Sequence, residues 1–248
     1  MKPSVVIDCF PSTVARYERT HAIVAVDVIR ATTTMVTAAA AGWHCFPVAN
    51  LEEALCMAAQ LPDCLLAGEL GGNMPEGFEI TNSPAQIASR TDRYRPLVLL
   101  STSGTELLCR ARRAQAAYAA CFRNFQAVAR HVATRHLQVA VIGAGSRQEF
   151  REEDQLCCAW IAQHLLECGF TPEDEQTSEI VERWRGLPVD ACLISHSVDY
   201  LRRSDQMDDL EFILAHVNDI DRVFCLSGNK VVAVDTPSAM ELTQRLAT

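Results

Sequence analysis

An α/β fold is predicted for this chain by three observations. Apolar, β-branched runs recur along most of its length, most are followed by a helical pattern, and the runs are apolar throughout rather than alternating with polar positions. A strand apolar at every position is buried on both faces, and a helix of about ten or more residues after it supplies the crossover to a parallel neighbour. The expected architecture is a mostly parallel or mixed sheet with helices on both faces, three layers in all.

In chain order, strands are expected at "SVVIDCF", "AIVAVDV", "HCFPVA", "CLLAGEL", "PLVLLST", "AAYAACF", "LQVAVIGA" and "RVFCLS". Between most of them lie helical patterns at "ATTTMVTAAAAG", "LEEALCMAAQL", "SPAQIASR", "GTELLCRARRA", "NFQAVARHVATR" and "EEDQLCCAWIAQHLLECG". From about residue 172 the pattern turns helical, through "PEDEQTSEIVERWRG", "VDYLRRS" and "MDDLEFILAHVN", before a last strand and a short tail, "KVVAVDTPSAMELTQRLAT". No linker rich in Gly, Ser or Pro sets that region apart. Residues 1–248 are therefore read as one domain with a helical C-terminal addition and a soft boundary near 172. No short-period repeat or low-complexity segment interrupts it.

Bulk properties narrow the function. With 248 residues and 49% hydrophobic content the chain can bury a sizeable core. Charge or Gly breaks every apolar stretch well short of the roughly 18 residues a bilayer crossing needs, and no basic-then-apolar leader opens the chain. A net charge of −9 argues against general attraction to nucleic acid or anionic membrane. The 11 cysteines lie mostly in apolar runs without a CxxC pair, which suits core thiols in a reducing compartment. A cytoplasmic location is expected, and the apolar composition is compatible with a homodimer.

Strand ends that lead into helices gather polar groups around a crevice in such sheets, because helix N-termini there offer free N–H groups. Five strand ends stand out. After the second strand, Asp27, Arg30 and the run Thr32, Thr33, Thr34 exceed what one helix cap uses, and a buried acid and base are costly unless paired. After the fourth, Glu69 precedes a Gly-rich turn, with Asn82, Ser83 and Pro84 at the next helix start. "NSP" is ordinary capping, whereas Glu69 could ligate a metal beside Asp27, as two or three oxygens plus waters hold Mg²⁺.

After the fifth strand, Ser101, Thr102, Ser103, Gly104 and Thr105 read either as a plain loop or as a short anion cradle, without the Lys or spacing of a P-loop. After the sixth come Arg123 and Asn124; after the seventh, a Gly turn followed by Arg147, Arg151, Glu152, Glu153 and Asp154. Acids at a helix start are usually dipole partners, and "GAG" falls short of a dinucleotide motif. His196 in "LISHSVDYL" has a side chain suited to protonating a leaving oxygen, though such a His is more often a capping or packing residue. Cys157 and Cys158 read as core filling, since no activating cation is fixed beside them.

Taken together, "DVIRATTTMVTAAAAG", "LLAGELGG", "GFEITNSP", "STSGTELL", "NFQAVA", "EEDQLCCAWIAQHLL", "SHSVDYL" and "DDLEFILAHVNDIDRV" resemble the 2-phosphosulfolactate phosphatases, the ComB family, in order and spacing over nearly the whole chain. The resemblance implies a magnesium-dependent acid phosphatase that cleaves 2-phosphosulfolactate to sulfolactate and phosphate, a step toward coenzyme M, on an α/β fold peculiar to the family. The chain departs from the family pattern at Leu70 (for Arg in GERGG), Ser103 (for Asn in TTNGT), Ser197 (for Gly in SHG) and Glu79 (for Asp). Losing a cation near a doubly anionic substrate weakens binding by about 1.5 to 3 kcal/mol where the bond was charge-assisted.

The expected site has Asp27 and Glu69 anchoring Mg²⁺, with Arg30, Thr32, Thr33, Ser83 and the Ser101–Thr105 turn binding a small phosphorylated anion. Asn82, Asn124 and Asp154 are expected to orient the attacking water or the substrate. Asp27 lacks the DxD pattern of aspartyl-phosphate enzymes, which favours metal-activated water over a phosphoenzyme. Two alternatives stand beside this reading: a Mg²⁺-dependent phosphatase for another small phosphorylated hydroxy acid, and a noncatalytic anion-binding homologue.

Overall fold

Every residue of "AIVAV", "LVLL" and "AYAA" is buried, because each of these strands is covered on both faces. They belong to one ten-stranded mixed sheet in the computed structural model, which describes residues 2–145 and 149–234. Strands β1 (Ser4–Asp8), β2 (Ala22–Val26), β3 (Cys45–Val48), β4 (Leu65–Gly68), β5 (Leu97–Leu100), β6 (Ala117–Ala120) and β7 (Gln138–Gly143) fall on the expected runs, as does β9 (Val223–Ser227). The two-residue β8 (Thr171–Pro172) is additional, and β10 (Lys230–Val234) occupies what was read as the start of the tail. The rest of that tail and Arg147 lie outside the described residues.

The helices α2 (Ala31–Ala40), α3 (Leu51–Gln60), α4 (Pro84–Ser89), α5 (Gly104–Arg110), α6 (Phe125–Arg135) and α7 (Glu152–Glu167) lie where the sequence places them. So do α8 (Glu175–Trp184), α9 (His196–Arg203) and α10 (Met207–Ala215) of the C-terminal layer, whereas the one-turn α1 (Val14–Tyr17) was not expected.

Strand order is β4-β5-β3-β10-β9-β6-β2-β7-β1-β8. Two parallel blocks, β4-β5-β3 and β6-β2-β7-β1-β8, flank the β9–β10 hairpin. The hairpin pairs antiparallel with β3 on one side and with β6 on the other, so the two blocks run in opposed directions along the ladder. Within each block the register aligns the strand ends: Val26 stands opposite Ala120 and Gly143, and Leu100 opposite Val48 and Gly68.

One core gathers around α2 and α5 and draws side chains from both blocks and the hairpin, among them Ile23, Cys45, Leu65, Leu99 and Val231. A second, on the opposite face of β1, β2, β6 and β7, lies beneath α6, α7 and α8. Nine of the ten residues of α2 are buried, and its Ala and Thr side chains are small enough to let it be enclosed on all sides. No helix among the described residues is long and apolar enough to cross a membrane.

Candidate active site

Asp27 was expected inside a strand; it stands one residue beyond the end of β2, 8% exposed, where the chain turns into α2. Strand pairing has ended there, so its backbone needs other partners. The Thr32 hydroxyl supplies them, accepting from Asp27 N–H (2.9 Å) and donating to Asp27 C=O (2.8 Å). Thr33 donates to the Val28 carbonyl (2.8 Å) and Thr34 to that of Arg30 (3.0 Å). The triple Thr therefore holds the 27–30 turn: buried hydroxyls must be bonded, and here they satisfy a buried turn that makes no strand ladder. That is a different task from the direct anion contact expected of Thr32 and Thr33.

Gly104 begins α5 against the Asp27 carboxylate; a Cβ there would stand 2.1 Å from Asp27 Oδ2 and 2.6 Å from Ala31 Cβ. The turn before it is tied internally, with Thr105 N–H donating to Ser101 Oγ (2.9 Å) and Ser101 N–H to Thr105 Oγ1 (2.8 Å). Ser103 caps α5 without a side-chain bond. Thr102 faces Glu69, giving it both its N–H (Oε1, 2.7 Å) and its hydroxyl (Oε2, 2.8 Å). Gly72 N–H adds a third donor to Glu69 Oε2 (2.7 Å).

The ends of β2, β4 and β5 thus converge on one place, although five steps of the ladder separate β2 from β5. Asp154, in the first turn of α7, completes the cluster, accepting from Val28 N–H at 2.7 Å. Burial pushes the Asp27 carboxyl up to about 7, and the neighbouring Glu69 and Glu153 carboxylates add to the rise. Asp154 is pushed well above the ordinary range by burial and by Asp27 and Glu153. Glu153 is fully buried, and burial raises its carboxyl too. Acids buried together hold one another's carboxyls up, and such a cluster is a candidate cation or acid–base site.

Arg30 is 4% exposed and paired with Asp209 of α10, Nη1 to Oδ2 at 2.5 Å; Nη1 also donates to Gln206 Oε1. Asp209 Oδ1 accepts from Ser83 Oγ (2.6 Å) and Ala85 N–H (3.1 Å), while Ser83 Oγ accepts from Gln86 N–H as the cap of α4. Among the described residues the Asn82 side-chain oxygen is buried without a partner. Sequence reasoning missed Asp209, because an acid pair opening a helix reads as a dipole partner. It also missed Gln206, Glu153 as a buried acid, and Tyr200, whose hydroxyl donates to Gly72 C=O at 2.6 Å.

Other expected residues have local structural partners. Asn124 is fully buried and closes its own turn, accepting from Cys121 N–H (3.0 Å) and donating to Ala119 C=O (3.2 Å). Arg123 pairs with Asp219 and Thr37. His196 is exposed on α9, 3.3 Å from Glu149 Oε2. All eleven cysteines are free thiols, and burial raises Cys157 and Cys158 well above their ordinary value.

A sequence profile for 2-phosphosulpholactate phosphatase matches residues 9–229, a span holding every one of these groups. The chain belongs to that family. Similar proteins include a probable 2-phosphosulfolactate phosphatase of Symbiobacterium thermophilum, 33% identical over 76% of this chain and 84% of the relative. Another, from a Synechococcus species, is 33% identical over 80% and 86%, and a third, from Carboxydothermus hydrogenoformans, is 35% identical over 69% and 72%. By its description the family is one of phosphoric monoester hydrolases, and the acid cluster and the buried arginine sit within its matched span.

Among the described residues no three His, Cys, Asp or Glu side chains form a ready set of metal ligands. The donors present are hard carboxylate oxygens, few in number and mutually repelling. That chemistry fits a Mg²⁺-type cation, which keeps several waters and takes one or two protein carboxylates.

Proposed function

We propose that this chain is a Mg²⁺-dependent phosphatase that hydrolyses 2-phosphosulfolactate to sulfolactate and phosphate. The observation that carries the reading is the meeting of Asp27, with its raised carboxyl, and the first residue of α5, beside the turn where Glu69 is held by Thr102. Asp27 and Glu69 would hold the cation. When bound, it supplies neutralisation of the phosphoryl oxygens and a water made more acidic.

The remaining work falls to the chain. Arg30 offers a planar cation to the phosphate, balancing charge that grows on its oxygens as the ester bond breaks. Gly104, lacking a side chain, lets the start of α5 approach Asp27 closely. Asp154, whose carboxyl feels that of Asp27, would orient the attacking water and accept its proton. Thr32, Thr33, Ser101, Thr105 and Asn124 serve by holding these turns still.

The test is phosphate release from a panel of phosphorylated hydroxy acids, with Mg²⁺ and with chelator. Mg²⁺-dependent release favouring 2-phosphosulfolactate, falling about a hundredfold or more in Asp27→Asn and Glu69→Gln, is expected. Preference for another ester would redirect the substrate assignment, and the turn after Glu69, which exposes Leu70 and Met74, favours that second reading. Binding without turnover would overturn the enzyme reading.

A further inference from the structure

The C-terminal helices carry no residue of the expected catalytic set, yet they reach both of its charged ends. Tyr200 of α9 holds the carbonyl of Gly72, whose N–H holds Glu69. Asp209 of α10 is 3% exposed and uses both oxygens: Oδ2 takes Arg30 Nη1, and Oδ1 takes the Ser83 hydroxyl and the Ala85 N–H.

We propose that Asp209 is a positioning residue, whose carboxylate fixes the Arg30 guanidinium in the orientation that receives the substrate phosphate. The inference rests on Arg30 being the phosphate-binding cation of the proposed function. A buried ion pair is weak evidence for stability, since apolar residues of like volume often serve a fold as well or better. What this pair supplies is direction. An arginine side chain has many rotamers to lose, and its planar fork grips a phosphate well only when its plane is set beforehand.

Asp209 and Gln206 both act at Nη1, and among the described residues Nε and Nη2 make no hydrogen bond, which leaves that edge of the fork for a bidentate anion. The second oxygen of Asp209 is in turn locked to the start of α4, so the carboxylate cannot swing away with the arginine.

A double-mutant cycle with Arg30→Ala, Asp209→Asn and the double variant tests this, reading kcat and KM for Mg²⁺-supported phosphate release, inhibition by orthophosphate, and melting temperature. Asp209→Asn is expected to raise KM and the orthophosphate inhibition constant about tenfold, and to have no further effect in the Arg30→Ala background. A lowered melting temperature with unchanged kinetic constants would overturn the proposal, as would a full, additive effect in the double variant. Should Asp209→Asn fail to fold, Gln206→Ala loosens the same nitrogen from the other side; an increase in KM supports the inference and an unchanged KM overturns it. If Arg30→Ala itself leaves phosphate release intact, the phosphate role of Arg30 fails as well. If Arg30→Ala abolishes release while Asp209→Asn is kinetically silent, the positioning role alone fails.

Discussion

At Asp27 a cost in stability coincides with a proposed catalytic role. Its carboxyl titrates at about 7 in the folded protein against an ordinary value of 3.8, chiefly because burial disfavours the charged form. The unfolded chain therefore releases this proton first, and between about pH 4 and pH 7 it binds fewer protons than the native state. Stability attributable to Asp27 is complete at low pH and falls as pH rises, by on the order of 4 kcal/mol across the whole window. Asp27→Asn removes the ionisation, so in chelator the variant is expected to exceed the native chain in urea stability at pH 8, with the gain vanishing near pH 4. An equal gain at both pH values would show that the carboxyl is not strained by burial. Under the proposed function the same substitution is expected to remove activity, the usual trade at sites built from unwelcome charge.

At the scale of elements, what matters is how helix starts are fitted to strand ends. Helix α5 begins with Gly104 because nothing larger fits against Asp27 Oδ2 and Ala31 Cβ. Gly104→Ala must push either α5 or the Asp27 turn aside, which is expected to cost about 1 to 3 kcal/mol of stability. A displacement near 1 Å at a catalytic group commonly costs about a hundredfold in rate, and kcat/KM should fall by that order. A variant with native melting temperature and native rate would mean that the contact is not as close as described. Helix α2 carries the complementary lesson, its threonines closing the Asp27 turn from behind with buried hydroxyls.

At the scale of the whole molecule, the hairpin β9–β10 is the piece on which the sheet depends. It is last in the described chain but lies in the middle of the sheet, pairing with β3 on one side and β6 on the other. A chain ending at residue 220 keeps every expected catalytic residue and loses the join between the two parallel blocks. It is expected to lack a cooperative thermal transition, and a native-like near-ultraviolet circular dichroism spectrum with a sharp melt would refute that dependence. Late placement of central strands also makes folding wait for nearly the whole chain, since long-range pairing closes the largest loops.

The local pattern of the chain determined much of this. Apolar periodicity located eight strands and nine helices, because burial on both faces leaves its mark on every residue of a strand such as "AIVAV". Unusual polar residues at strand ends marked Asp27, Arg30 and Glu69, because charge beside a core is costly enough to be noticed. Tertiary structure alone decided which of them meet. The opposed directions of the two blocks, the mid-sheet position of β10, the meeting of Gly104 with Asp27 and the pairing of Arg30 with Asp209 all join residues far apart in the chain. Such pairings are set by how the sheet closes around α2 and α5, and an acid at a helix start looks the same whether it faces water or a buried arginine.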